Sequence, residues 1–553
     1  MTRPLHKRTL PGSRGPTSRL SFDDARAGLR FAAQLPHFLR RPMSAEETRG
    51  ILQRRLASRE ADFLALVQRA IYDNPESPYR ELLALAGCQR EDLERLVRQE
   101  GIEGALKTLL RQGVYLTVDE FKGRRPIERG SAVLHAGPGR LRPPGVSDHL
   151  PIHTGGSRGG GTRFSVDLAY VRDRAVDAAL VFHALGGARW AHGVWGTPGT
   201  GGVVILLEFM AFGGRVVRWF SQLDPASPTL GSRYRWSARA LRWGSLCAGR
   251  PLPSIEHVAL ADPRPILRWL TSTVRRGRAP HLHTHASSVV RICQTALDEG
   301  IDLTGAQFTA ASEPLTAARL QTIRRSGAKA WAQYSTVESG AIGRGCLAPE
   351  HPDEVHVHHD RLAMIQPETA DTAALHPRTV MLTSLRPTAA PLVLLNVSMG
   401  DVAEVTSRQC GCSLERLGWT THLHAIRSVE KLTAGGMTFL DTDVIRVLEE
   451  VLPERFGGAP THYQLVEQDA EDGRSQLRLL VHPAVGALDP IAVREVFLTG
   501  VSQGAGGQRL MGMVWRDADL LRVERRAPLA TASGKILHLH VARGEPGSVS
   551  PGA

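Results

Sequence analysis

The spacing of apolar positions changes character along the chain. Over residues 21–124 it is helical: Ile51, Leu52, Leu56, Phe63, Leu64, Leu66, Val67 and Ile71 recur three and four residues apart. Ser44-x-x-Glu47 precedes that face as a capping box, in which each side chain satisfies a backbone N–H at the start of the helix. The stretch REDLERLVRQEGIEGALKTLLRQG predicts two more short helices. Over residues 125–425 short apolar, β-branched runs alternate with helical pieces, and 202–207, 306–310 and 379–383 read as strands. Alternation of this kind predicts an α/β domain. Over residues 426–553 the pattern continues at smaller scale, with a helix in FLDTDVIRVLEEVLP, a strand in SQLRLLVHP and a helix in DPIAVREVFLTGV. The expected fold class is α/β: a large α/β domain with a helical N-terminal extension, then a small α+β domain. Residues 1–20, rich in Pro, Gly and Arg, are expected to be a disordered basic arm.

Composition narrows the function classes. The chain has 553 residues, 42% of them hydrophobic, which allows a large core and more than one domain. No apolar run is long enough to predict a membrane span, and the basic N-terminus lacks the apolar segment of a secretory signal. A net charge of +13 suits anionic small molecules such as ATP and coenzyme A. Aromatics are only 5% and do not interleave with basic residues, so no nucleic-acid partner is expected. Six cysteines are too few for a disulfide scaffold and suit a reducing cytoplasm.

Candidate chemistry lies in five places. Residues 152–162, IHTGGSRGGGT, form a loop whose N–H groups can wrap a polyphosphate, although the Gly-Lys-Ser/Thr ending of a Walker loop is absent. Ser312-Glu313-Pro314 turns sharply after an apolar run, where α/β folds build ligand sites. Tyr334-Ser-Thr336-Val-Glu338 offers an aromatic for a purine, a hydroxyl for phosphate and a carboxylate for Mg²⁺. Gly400-Asp401 presents a carboxylate that can accept ribose hydroxyls. Near the C-terminus, Ser533-Gly534-Lys535 places an ammonium on a tight turn, able to meet a carboxylate and an α-phosphate together.

In this order the motifs resemble the adenylate-forming superfamily, and within it the phenylacetate–coenzyme A ligase branch. The likeness covers about residues 70–550 and includes Asn74-Pro-Glu-Ser-Pro-Tyr79-Arg and a Cys-x-Cys-Gly-like pair. The resemblance implies that Thr154, Ser157 and Thr162 line a mobile phosphate loop. It implies that Ser312, Glu313 and Pro314 border the adenine, Tyr334 stacks on it, and Thr336 reaches phosphate. By the same likeness Glu338 holds Mg²⁺, Asp401 binds the ribose with Arg427 assisting, and Lys535 is the catalytic lysine on a mobile small lid domain. The chain departs from the family pattern at Ser335, usually glycine, at Val337, usually Ser/Thr, and at Met399, usually Thr.

Cys346-x4-His351 and Cys410-x-Cys412 are two close ligand pairs that suit a structural tetrahedral Zn²⁺. His356, His358 and His359 compete as ligands, but their spacing reads as an exposed strand, as does that of His422 and His424. The expected function is ATP-dependent activation of an aryl or fatty carboxylic acid through an acyl-adenylate, then transfer to a thiol, with coenzyme A the default. Transfer to an acyl carrier protein or a partner enzyme, and a non-catalytic acyl- or nucleotide-binding module, are the alternatives.

Overall fold

The computed structural model describes residues 22–542 apart from 147–149, 154–162, 198, 225–231, 369–374, 430–432, 435–436, 439–442, 470–474, 503–520 and 532–533. The expected basic arm and phosphate loop lie outside the described residues. So do Thr154, Ser157, Thr162 and Ser533.

Ser44 caps the helix Ala45–Ala57, its Oγ accepting from Glu47 N at 3.0 Å. Ser58 then breaks the run, which resumes as Arg59–Val67 and ends in a π turn, Gln68–Tyr72. The two helices expected farther on form one element, Arg90–Arg111, kinked at Gly101 where φ is 70°. Leu52, Phe63, Leu106 and Phe121 of this region belong to the same apolar core as the large sheet. Polar ties reinforce the packing. The buried Arg55 guanidinium meets Asp173, Asp177 and Asp360 at 2.8, 3.2 and 3.2 Å. Asn396 Nδ2 donates to the carbonyls of Leu106 and Val114.

The large sheet has twelve strands. From one edge, Ile255–His257, Arg215–Ser221, Ala191–Gly196, Pro280–His285, Gln307–Ala311 and Lys329–Thr336 run parallel. Gly340–Gly345, Val355–Val357, Thr421–Ser428, Val397–Ser407, Thr379–Ser384 and Leu362–Ile365 continue antiparallel. The run 202–207, expected as a strand, lies within the helix Thr200–Ala211. Its uniformly apolar sequence carries no period to separate buried strand from buried helix. Leu206 and Leu207 are fully buried in the core shared by the sheet and the helix Leu168–Ala184.

The histidines expected on exposed strands are also corrected. His356, His358, His422 and His424 are all buried, because Val355–Val357 and Thr421–Ser428 are interior strands that pair His356 with His422.

A second sheet, ordered Leu521–Arg525, Ser475–Val481, Tyr463–Asp469, Leu539–Ala542, carries its own core. Val447 and Leu448 pack there against Phe497 of the helix Pro490–Ser502. The fold is therefore α/β with a large N-terminal sheet and a smaller C-terminal one, as the sequence pattern predicts. Among the described residues, no helix is long and apolar enough to cross a membrane.

Candidate functional site: a lysine turn docked on the parallel strand ends

Parallel strands deliver their C-terminal ends to one edge of a sheet, and that edge is where open α/β folds bind ligands. Here the edge carries Gln222 after Arg215–Ser221, Ser287 and Ser288 after Pro280–His285, Ser312–Pro314 after Gln307–Ala311, and Glu338 after Lys329–Thr336. Ser312 has φ 68°, an uncommon left-handed conformation for a residue with a side chain, and it turns the chain sharply. The turn brings Glu313 back to the neighbouring helix Ala286–Asp298, where its Oε2 accepts from Ser287 N at 2.8 Å. Its other oxygen, Oε1, is buried and has no hydrogen-bond partner among the described residues.

The Lys535 turn comes from the small domain. Gly534 N donates to Thr531 O at 2.7 Å, Thr531 N to Lys535 O at 2.8 Å, and Lys535 N to Thr531 Oγ1 at 3.1 Å. Gln464, fully buried on the strand Tyr463–Asp469, ties the turn at both ends. Its Nε2 donates to the carbonyls of Leu529 and Leu537 at 3.0 and 2.8 Å, and its Oε1 accepts from Leu529 N at 2.6 Å. The turn meets the large domain where the parallel strands end. Ile536 N donates to Ser287 Oγ at 3.4 Å. Gln222 rests on Gly534 so closely that a Cβ there would lie 1.9 Å from its Oε1, and Gly534 has φ 81°. The positive φ favours glycine, and a Cβ would force the Gln222 side chain to move. Gln222 and Gln464 carried no sequence signal, because each matters only through a contact between distant segments.

Tyr334 Oη donates to Asp401 Oδ2 at 2.9 Å. Three strands separate theirs in sheet order, and a flat sheet would hold the two residues roughly 19 Å apart at about 4.8 Å per strand. The antiparallel half therefore curls back toward the parallel half. Burial first, and then the neighbouring carboxylate, push the Tyr334 hydroxyl pKa well above its usual value. The hydroxyl thus remains a donor that holds Asp401.

Glu338 is 6% exposed and makes no hydrogen bond or ion pair among the described residues. Thr336 Oγ1 accepts from Ser339 N at 3.0 Å, which shapes the turn around Glu338. Val337 is 42% exposed. Arg427, expected to assist at the ribose, pairs with Asp353 at 3.0 Å. Asp353 also accepts from the N–H groups of Ala425 and Ile426.

Cys346, Cys410 and Cys412 come together, and the imidazole among them is His356; the four ligand atoms lie within 4.8 Å of one another. His351 stacks on His424 with ring centroids 3.8 Å apart. His356 Nε2 is 3.2 Å from Cys412 Sγ and 3.7 Å from Cys410 Sγ. Ligands of a tetrahedral Zn²⁺, with bonds of about 2.0–2.3 Å, stand roughly 3.3–3.8 Å apart. His356 Nδ1 lies 2.7 Å from the Trp419 carbonyl, a contact that orients Nε2 toward the thiols. Burial, with His422 beside it, lowers the His356 pKa to about 4, so the ring is neutral at pH 7, as a ligand must be. Leu414 N donates to Cys412 Sγ at 3.3 Å, and Arg408 lies 4.0 Å from Cys346 Sγ. Burial raises the Cys346 and Cys410 thiol pKa values, whereas at Cys412 backbone N–H donors outweigh burial and lower it. The donor set fits zinc.

No protein-family model matches the chain, and no curated protein matches it in sequence. Solved structures resemble it at low identity. A 2-hydroxyisobutyryl-CoA ligase bound to its acyl-adenylate and CoA is 16% identical with TM-score 0.44, over 91% of this chain and 91% of that one. An anthranilate CoA ligase with anthranoyl-AMP is 13% identical with TM-score 0.43, over 73% and 67%. An amide bond synthetase from Marinactinospora thermotolerans is 14% identical with TM-score 0.39, over 91% and 97%. Likeness of this degree assigns no function.

Proposed function

We propose that the chain activates a carboxylic acid with ATP. A carboxylate oxygen attacks the α-phosphorus, pyrophosphate leaves, and the acyl-adenylate then passes its acyl group to a thiol with release of AMP. The observation that carries this reading is the Lys535 turn of one domain seated on the parallel strand ends of the other. An ammonium delivered there can touch two anions held by the large domain and offset the charge that builds during attack. A separate domain that brings the lysine can also withdraw it when a thiol must approach.

The surrounding groups suit the nucleotide. The unpaired Glu313 Oε1 suits the amino group of adenine, a donor that would otherwise be buried unsatisfied. Asp401, held by Tyr334, suits the ribose hydroxyls, and Tyr334 itself offers a ring to the purine. The Glu338 carboxylate, without a partner among the described residues, would hold Mg²⁺, which would offset phosphate charge. Arg427 has its charge engaged by Asp353 and acts by bracing the 421–428 strand against the segment before His356. Thr154, Ser157 and Thr162 are proposed for the polyphosphate on their loop composition alone.

Cys346, His356, Cys410 and Cys412 are proposed to hold a structural Zn²⁺, with His356 in the place expected for His351. Four protein ligands complete the coordination, so the ion joins segments rather than reacting. Coenzyme A is the proposed thiol, and the site belongs to the cytoplasm, where free thiols persist. Pyrophosphate release measured against a panel of aryl and aliphatic acids tests the reading. Acid-dependent release supports it, and a panel without a single active acid favours a binding module.

A further inference from the structure

One buried ion cluster joins the two domains beside the lysine turn. Arg319, on the helix Ala317–Arg325 that follows the Ser312–Pro314 turn, is 1% exposed. Its Nε donates to Glu449 Oε1 of the small domain at 2.7 Å, and its Nη1 to Pro314 O at 3.2 Å. Glu449 lies on the π turn Val447–Val451, is 2% exposed, and also accepts from the Thr316 hydroxyl. His538 Nε2 is 2.6 Å from the same Glu449 Oε1 and 3.2 Å from Arg319 Nη2. His538 is three residues past Lys535, and Leu465 N donates to its carbonyl at 2.9 Å, next to the Gln464 that closes the turn. The cluster thus connects the Ser312–Pro314 turn directly to the base of the lysine turn.

Taking the adenylating reading above as its basis, we propose that Glu449, Arg319 and His538 are positioning residues: a polar latch that docks the small domain so that Lys535 sits over the parallel strand ends. A buried carboxylate between a guanidinium and an imidazole is a suitable latch. Docked, its charges compensate one another at close range. Undocked, Glu449 and His538 return to water and Arg319 keeps Glu313 Oε2 3.9 Å from its Nη1, so no charged group need stay buried unpaired in the open pose. An apolar interface of equal area would instead expose surface on opening. The latch therefore favours one docked geometry without locking the domain there. It acts on acyl-adenylate formation, which needs Lys535, and not on transfer from a preformed adenylate, for which the small domain has left.

Hydrogen–deuterium exchange on the full chain tests the latch without any acid. Glu449→Gln keeps the shape and removes the charge, and His538→Gln is the second variant. The expected result is at least roughly tenfold faster exchange in peptides covering 529–538 and 284–290, the scale of losing a buried charged partner at an interface. The sheet strands 463–469 and 307–311 should exchange as in the unaltered protein, which shows that both domains remain folded. Unchanged exchange at 529–538 and 284–290 in both variants overturns the latch and leaves the proposed function standing. In the functional arm, the acid that supports pyrophosphate release is used. Adenylate formation should fall in both variants, while transfer to coenzyme A from supplied acyl-adenylate should hold. An equal fall in both half-reactions would make the cluster merely structural and overturn the proposal. If no acid supports release, the adenylating reading fails, and the exchange result still decides whether the cluster docks the domain.

Discussion

Single residues carry most of the proposed chemistry, and two of them make sharp predictions. Glu338 is largely buried as a residue and its carboxylate has no partner among the described residues, which leaves it available to a cation. Glu338→Gln should lower adenylation by roughly tenfold or more and flatten the response to Mg²⁺ in a metal titration. Normal Mg²⁺ dependence would remove Glu338 from the site. Gly534 combines a left-handed φ of 81° with the close approach of Gln222. Gly534→Ala strains the turn and displaces Gln222 from Ser288, to which it donates at 3.4 Å. Adenylation should fall roughly tenfold, as expected for a misplaced group, with little change in melting temperature. Gln222→Ala should restore part of the loss in the double variant, because it removes the clash but not the backbone strain. Lys535, Glu338 and Asp401, the proposed lysine, Mg²⁺ carboxylate and ribose carboxylate, could be singled out because each sits in a short local motif. Gln464 and Arg319 were not, because their partners lie 65 and 130 residues away.

At the scale of elements, strand interiors explain both the readable and the misread parts. Gln307–Ala311 and Thr379–Ser384 are short and carry Phe308, Val380, Met381 and Leu382 among Thr residues, so they read correctly as strands. The helix Thr200–Ala211 is apolar on every side facing the sheet and its neighbours, so it read as a strand. The histidines on Val355–Val357 and Thr421–Ser428 alternate as an edge strand would, yet these strands are internal, and their polar side chains face one another and the cysteines. Three of the four proposed ligands could be picked from cysteine spacing. His356 displaced His351 because strand pairing, not sequence distance, places it beside Cys412. The purified protein should carry about one equivalent of Zn²⁺ by elemental analysis. Cys412→Ser should lower the melting temperature by several degrees, whereas Cys247→Ser, at an exposed helix end, should change it little. Metal-free protein with an unaltered melting curve would contradict the site. The cluster links the segment after Gly340–Gly345, near Glu338, with the loop after Val397–Ser407, which carries Asp401. Zinc loss should therefore also weaken ATP binding.

At the scale of the whole molecule, the proposed function runs through the contact between the two cores. Burial alone would raise the Glu449 pKa, but Arg319 and His538 outweigh it and hold the value down to about 2, against an ordinary 4.5. A depressed carboxyl contributes stability that is complete above the unfolded value and disappears as pH falls through the folded one. The contribution, on the order of 3 kcal/mol, is therefore present at neutral pH and lost between about pH 4.5 and 2. Acid should undock the small domain in this window, seen as added exchange at 284–290, and Glu449→Gln should remove that pH dependence.

The central claim is that Lys535, carried by one domain, completes an adenylating site on the other. Acid-dependent exchange of pyrophosphate into ATP, measured for the unaltered chain and for Lys535→Ala, tests it most directly. The expected result is exchange with at least one carboxylic acid, reduced by roughly 10²–10³-fold in the variant while ATP still binds. Exchange that survives in Lys535→Ala, or that no acid elicits in the unaltered chain, would contradict it.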